Sequence, residues 1–397
     1  MKIEIDKFQE RDYQKNLVEV FEEGKKKRFM VIWPRRCCRG DSHITMANGS
    51  WKYLKDIKVG DSILSWDGNK FIADIVKHHW KTDIKKTKIV QSYSCLPVIS
   101  SEDHVYAVNR HSSSLVHWKK LIDISKDDPF MQYAGISSSG SNDLMLPEFL
   151  GYMLSDGSCN KYQQATFTNI NHKIVDRVFE LVKNCFNVRI RKGLKGNAVT
   201  LGFAAGEDDS LLTVKQFFVK NKINIAKYER RLPDIVWSWS ENEVISFFSG
   251  IISGDGNIYV HKTGRTSKRS GLMIPAAVEV TMSLGTSDNH AWDCYWLLRK
   301  IGILPQIPYK ERGSNWKIKI AKCLDIKKIL SKNVYGKEEA QELALKTINS
   351  RSRQAKMYKG CFRLLAKVKD GQDEELYDIE TENHHNFIAN GYLVHNS

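Results

Sequence analysis

The sequence predicts a multidomain protein in which an all-β scaffold is interrupted by a duplicated α+β domain. Three observations carry this expectation. Short alternating segments bounded by turn residues lie at both ends of the region beyond residue 36: 62–66 and 88–90 early, 361–368 and 375–379 late. Between them a nine-residue pattern occurs twice, Phe149-Leu150-Gly151-Tyr152-Met153-Leu154-Ser155-Asp156-Gly157 and Phe248-Ser249-Gly250-Ile251-Ile252-Ser253-Gly254-Asp255-Gly256, with its acidic residues 99 positions apart (255 − 156). And 397 residues are more than one core ordinarily holds, so two or three domains are expected.

Composition narrows the function class. A hydrophobic content of 42% supports packed domains rather than disorder. A net charge of +15 with pI near 9.3 points to a polyanionic partner, most simply nucleic acid, although a Lys and Arg excess also serves solubility. The eight cysteines form no C-x-x-C pair, which argues against a zinc site or a thioredoxin-like motif. Scattered in a long chain, they read as reduced, buried small residues of a cytoplasmic protein. No apolar run approaches the ~20 residues of a membrane helix, and the start, Met1-Lys2-Ile3-Glu4-Ile5-Asp6, lacks a signal-peptide core.

Residues 1–36 read as part of another protein. After Arg11-Asp12-Tyr13-Gln14, Leu17, Val18 and Phe21 share a helical face. Gly24-Lys25-Lys26-Lys27-Arg28 ends that pattern, Phe29-Met30-Val31-Ile32-Trp33 suits a buried strand, and Pro34-Arg35-Arg36 follows.

The other end carries chemistry. An Asn side chain cuts the chain by closing a succinimide on its own carbonyl, provided something polarises that carbonyl and protonates the departing amine. Asn396 is preceded by His395, with His385 or His384 available through the fold, and is followed by the hydroxyl nucleophile Ser397. Far upstream lie Cys37-Cys38-Arg39-Gly40-Asp41-Ser42, Val59-Gly60-Asp61 and Ser101-Glu102-Asp103-His104. Together with the tail, these resemble the motifs of an intein, in order, from residue 37 to the end.

That resemblance implies a horseshoe-like Hint splicing fold made by 37–140 and 351–396, a flank at 1–36, and Ser397 as the first residue of the second flank. The family's four-position spacing to Asp41 selects Cys37 over Cys38 as the first nucleophile, and Cys38 then stands where an apolar residue is usual. Thiol attack on the Arg36 carbonyl expels the Cys37 nitrogen, which leaves only when protonated, so a nearby His is required: His104. Ser101 stands where the family has Thr and keeps the hydroxyl. Asp378 is expected to position or deprotonate a reacting group. No cofactor is expected for splicing. Joining Arg36 to Ser397 gives Trp-Pro-Arg-Arg-Ser, which resembles the start of the phosphate loop of a phage terminase large subunit. The Gly-Lys half of that loop is absent from this chain.

The repeated nonamer resembles the LAGLIDADG motif of homing endonucleases. Each copy reads as a helix whose small residues, Gly151 and Ser155 or Gly250 and Gly254, let two backbones approach and bring Asp156 and Asp255 together. Apolar-periodic helices at 175–186 and 292–303, each followed by β-like segments (189–192 and 199–201; 305–320), extend the repeats to about 147–235 and 244–345 within an insert spanning 141–350. The resemblance implies a monomeric pseudo-twofold pair of αββαββα units on double-stranded DNA. Asp156 and Asp255 would hold Mg²⁺, and Lys317 would be the active-site lysine, with Val199 at its place in the first repeat. The loop 261–269 is basic and suits phosphate contact as well as it suits plain solvation. An insert that binds DNA without cutting remains the alternative.

Overall fold

The computed structural model describes residues 37–109, 116–136, 138–159, 164–207, 211–223, 230–261, 265–266, 273–274, 277–311, 313–348, 357–358 and 361–396, all within one compact unit. The helix and strand expected in 1–36, most of the basic loop 261–269, and Ser397 lie outside the described residues.

Both ends of the described chain build the same two sheets. One has the strand order Lys367–Asp370, Thr87–Gln91, Val98–Ser101, Cys38–Arg39, Glu374–Thr381, Phe71–Lys85, Ser62–Trp66. The other runs Met357–Tyr358, Cys361–Leu364, Phe130–Tyr133, Val105–Val108, Tyr392–His395, Asn386–Ala389, His43–Thr45, Trp51–Tyr53, with His117–Lys120 beside Val105–Val108. The single strand expected over 361–368 is two, broken at Leu365-Ala366, because its halves pair in different sheets: Phe130–Tyr133 takes one and Thr87–Gln91 the other. The 15-residue strand Phe71–Lys85 is the longest, and register shifts opposite Glu375/Tyr377 and Glu380/Thr381 bend it.

The intervening segment is two copies of one unit. The first is helix α1 (Met145–Asp156), two strands, α2 (His172–Cys185), two strands and α3 (Val214–Lys220). The second is α4 (Glu241–Asp255), four strands of which the middle two (Arg265–Thr266 and Met273–Ile274) pair only with each other, α5 (Asp288–Lys300), two strands and α6 (Cys323–Ile329), followed by α7 (Glu338–Ile348). The sheets have one topology: Gly157–Ser158, Ala165–Asn169, Ala198–Ala205, Val188–Lys195 in the first, and Gly256–His261, Ala277–Ser283, Asn315–Ile320, Tyr309–Glu311 in the second. Local sequence sets the helix starts. Asp143 accepts from the Met145 and Leu146 amides, Ser240 and Glu243 form a capping box on α4, and Asn171 and Ser287 cap α2 and α5. The expected 175–186 and 292–303 therefore begin earlier. The second stops at Lys300, where Gly302 at φ +77° takes the left-handed turn that ends a helix.

α1 and α4 cross with almost no room between their backbones. A Cβ on Gly151 would sit 2.1 Å from the Phe247 carbonyl oxygen, and one on Gly250 would sit 2.4 Å from that of Glu148. A continuous buried core runs from this crossing into the β scaffold through Trp51, Trp66, Met131, Ile388 and Leu393. Among the described residues no helix is long and apolar enough to cross a membrane, and all eight cysteines are free thiols. Gly250→Val is expected to destabilise the fold by about 1–3 kcal/mol through overpacking, read as a lower urea midpoint, whereas Gly193→Val, where a Cβ meets nothing within 4 Å, leaves the midpoint near its original value.

Candidate functional site

The turn Ser101-Glu102-Asp103-His104 joins the two sheets, closed by the His104 amide donating to the Ser101 carbonyl at 3.0 Å. Its entering strand pairs with Cys38–Arg39, Cys38 opposite Ser100. One step further, Ser101 donates its amide to the Cys37 carbonyl at 2.9 Å, and the Cys37 amide donates to Ser101 Oγ at 3.2 Å. The departing strand pairs with Tyr392–His395, His395 opposite Val105. Continued by one residue, that register would put Asn396 opposite His104. Two chain positions 359 residues apart (396 − 37) thus meet at one turn.

The groups around Cys37 keep its thiol neutral. Burial first, and then the negative charge of Asp378, push it up to about 12; Lys85 and a hydrogen bond with Thr82 pull the other way. Asp378 is itself fully buried on the central strand Glu374–Thr381, where Cys38 pairs with Tyr377. His104 is fully buried, its Nε2 3.4 Å from Cys38 Sγ and its ring edge-on to Tyr106. Tyr106 Oη and Ser100 Oγ, 2.8 Å apart, tie the two strands together behind the turn.

At the other junction, His395 Nδ1 contacts the carbonyl oxygen of Asn396, the carbon a succinimide closure attacks. The His395 ring is held edge-on by Trp118 at 5.1 Å between centroids. The Asn396 amide nitrogen donates to the His385 carbonyl at 3.0 Å. Its side chain is fully buried, and neither Nδ2 nor Oδ1 has a hydrogen-bond partner among the described residues. His385 contributes that backbone carbonyl while its ring is exposed. Its φ of +52° is held by the preceding residues, which Asp74 clamps by accepting from the amides of Asn383 and His384 and from Asn383 Nδ2. Burial acts against the Asp74 charge, yet the bonds from His384, Ile75 and Asn383 hold its carboxyl below the usual range. Sequence reasoning missed Asp74. Its signal was an acid inside the apolar run Ile72-Ala73-Asp74-Ile75-Val76.

A second cluster lies at the C-terminal ends of α1 and α4. A Cβ on Gly254 would come 3.0 Å from Asp156 Oδ2. Burial and then the neighbouring Asp255 charge raise the Asp156 carboxyl to about 6, opposed by a 2.8 Å bond from Asn169 and by the Lys337 charge. Lys337, absent from the expected set, donates to the terminal α4 carbonyls of Ile252 and Ser253, and its charge acts on both carboxylates. Lys317 is paired instead with Glu311. Its counterpart also differs from the expectation. Leu201 faces Phe167 as Ile318 faces Met282, and those partners face Gly157 and Gly256, so Lys317 corresponds to Thr200 rather than Val199. A one-residue slip reverses the strand face, and Val199 is buried in the core. Among the described residues no group of three or more His, Cys, Asp or Glu gathers to hold a metal.

Residues 42–396 match the family described as intein splicing domain, a match that begins just after the Cys37 strand. Solved structures similar to this chain include full-length DUF199/WhiA from Thermatoga maritima, at 16% identity over 55% of this chain, TM-score 0.31; the chain spans 63% of that protein. I-DmoI in complex with DNA and Ca is similar at 14% identity over 50% of this chain and 97% of its own, TM-score 0.32. The meganuclease I-SmaMI bound to uncleaveable DNA is similar at 13% over 54% and 91%, TM-score 0.32.

The field of Asp378 on Cys37 can be read directly. Asp378→Asn removes a negative charge that holds the thiol protonated, so Cys37 should titrate at lower pH, followed as thiolate ultraviolet absorbance against a Cys37→Ala blank. An unchanged or higher titration would show that Asp378 does not act on this thiol.

Proposed function

Because the chain belongs to the intein splicing domain family, we propose that it excises residues 37–396 and joins Arg36 to Ser397. The observation that carries this is the shared turn: one of its arms pairs with the strand that follows Cys37, which itself bonds to Ser101, and the other pairs with the strand that ends one residue before Asn396. Cys37 Sγ attacks the Arg36 carbonyl, the Arg36–Cys37 amide breaks, and the freed amine takes a proton delivered through His104. With a thiol held near 12, attack needs the thiol proton removed as the bond forms, and the buried Asp378 carboxylate supports that role. The Ser397 hydroxyl then takes the acyl group and Cys37 regains its thiol. Asn396 Nδ2 closes on its own carbonyl, polarised by His395 Nδ1–H, and releases the Ser397 amine. An oxygen-to-nitrogen acyl shift completes the new peptide bond. The His385 ring, exposed here, contributes less than its carbonyl, which fixes the Asn396 amide.

The duplicated insert supports a second activity, double-strand DNA cleavage at the uninterrupted host site. Exposed basic side chains on the first sheet, Arg189, Arg191 and Lys195, suit a phosphate backbone. Asp156 and Asp255 form a pair of oxygen donors, and burial followed by their mutual repulsion raises Asp156. Such a donor set fits a hard cation held by one or two carboxylates. Mg²⁺ bound there would polarise a phosphate and acidify water. Lys337 spans both carboxylates and steadies the α4 terminus. Binding without cutting stays as a second reading, because Lys317 is tied to Glu311 and Thr200 offers no cation in its place. The flank 1–36 is read as the start of a terminase-like P-loop ATPase.

Two tests separate these statements. In a chain extended beyond Ser397, Cys37→Ala with Asn396→Ala should leave the precursor uncleaved on a denaturing gel; release of joined flanks by that double variant would sink the splicing assignment. Duplex DNA carrying the uninterrupted host junction should show Mg²⁺-dependent double-strand breaks that Asp156→Asn abolishes. A mobility shift with no breaks would leave DNA binding alone.

A further inference from the structure

We infer that α5 (Asp288–Lys300), although part of the second repeat, is the platform that positions the hairpin carrying the C-terminal cleavage, with Trp296 and Arg299 as its positioning residues. The inference rests on the splicing reading above. α5 lies in the β scaffold rather than on the insert's surface: Trp296 and Arg299 are fully buried, and Asp293 and Lys300 nearly so. Its polar side chains reach into that scaffold. Asp293 accepts from Trp51 Nε1 at 2.9 Å, and Tyr295 Oη donates to the Ser94 carbonyl at 2.9 Å.

Two routes run from this helix to one point, the Asn390-Gly391 turn. Both turn residues have positive φ, +50° and +90°, the two-residue connection that fixes hairpin register. On the first route, Trp296 Nε1 donates to His43 Nδ1 at 2.8 Å. The His43 ring stacks on Trp51 at 4.0 Å, and His43 exchanges hydrogen bonds with Asn390: its amide donates to Asn390 Oδ1 at 2.6 Å and its carbonyl accepts the Asn390 amide at 2.8 Å. Burial, then the Arg231 charge, lowers His43 to about 3, so its ring stays neutral and can accept from Trp296. On the second, Arg299 Nη2 donates to the Tyr133 carbonyl at 2.9 Å, and the Tyr133 amide donates to the Gly391 carbonyl at 2.8 Å. Arg299 Nη1 holds the Ser94 carbonyl at 2.7 Å. Arg299 Nη2 also stands against the open face of Gly391, 2.9 Å from where a Cβ would be.

The strands leaving this turn, Asn386–Ala389 and Tyr392–His395, pair in the register Asn386 with His395 and Phe387 with Val394. That register sets the bond between the His385 carbonyl and the Asn396 amide, and hence which way the Asn396 side chain faces. The Cys37 junction is held differently, by the strands Val98–Ser101 and Glu374–Thr381, whereas the bonds from Trp296 and Arg299 end at His43, Ser94 and Tyr133. Loosening α5 should therefore impair Asn396 cyclisation selectively.

The test uses the full chain with a C-terminal extension. Trp296→Phe keeps a ring and loses the donor to His43, whereas Arg299→Met keeps length and loses both carbonyl bonds. Cleavage after Asn396 is timed in a Cys37→Ala background, and thiol-induced cleavage before Cys37 in an Asn396→Ala background. The first rate should fall about tenfold, equivalent to about 1.4 kcal/mol of barrier, while the second changes by less than about twofold on the same scale. Equal loss at both junctions, or loss at neither, overturns the inference. Amide hydrogen exchange supplies a readout independent of cleavage: in both variants residues 386–395 should exchange faster while 98–101 do not. Unchanged exchange in 386–395 overturns the inference. Parents that never cleave while exchange rises as stated would instead fault the splicing reading alone.

Discussion

The proposed splicing site depends on the antiparallel register on either side of the Ser101–His104 turn. No residue of the turn has a positive φ. Its importance is positional, because one of its arms pairs with the strand that starts at Cys38 and the other with the strand that ends at His395. A shift of one residue in either pairing would turn the reacting side chains to the opposite face. The polar bridge between Ser100 and Tyr106 and the buried core beneath it are what forbid that shift.

The resting site is reactive by arrangement yet held back electrostatically. The Cys37 thiol stays protonated because burial and the Asp378 charge oppose its ionisation. The side-chain amide of Asn396 is buried without partners among the described residues, a state that costs about 1–3 kcal/mol per unsatisfied group. Turning Nδ2 onto its own carbonyl breaks no hydrogen bond that the described residues make. The two features suit the proposed single-turnover process, in which the Cys37 thiol gives up its proton as it attacks and Asn396 closes afterwards. The acidic pair at Asp156 and Asp255 follows the same physics, two like charges forced together by helices whose glycines leave no room for a Cβ.

Sequence patterns revealed the architecture better than the positions of individual side chains. Alternation and turn residues located the strands, and the repeated nonamer located the helix crossing, because both are properties of local chain geometry. Five features were not legible. The register that makes Thr200 the counterpart of Lys317 depends on which residue faces Gly157, a pairing between strands that local spacing does not encode. Lys337 comes from the turn before α7 and reaches α4 across 80-odd residues of chain (337 − 254 = 83). The burial of α5 in the β scaffold was hidden because Trp292 and Trp296 read equally well as core of the repeat. Asp74 and the exposed ring of His385 belong with these, since each is decided by a loop closing on a distant strand.

One measurement bears on the whole account: a mass-spectrometric time course of the unsubstituted chain carrying a longer segment after Ser397. The expected products are a linear chain in which Arg36 is bonded to Ser397, and an excised polypeptide beginning at Cys37 and ending in a succinimide. Two separate flanks with no joined product, or an intact chain throughout, would contradict the claim that the two junctions meet and react at one turn.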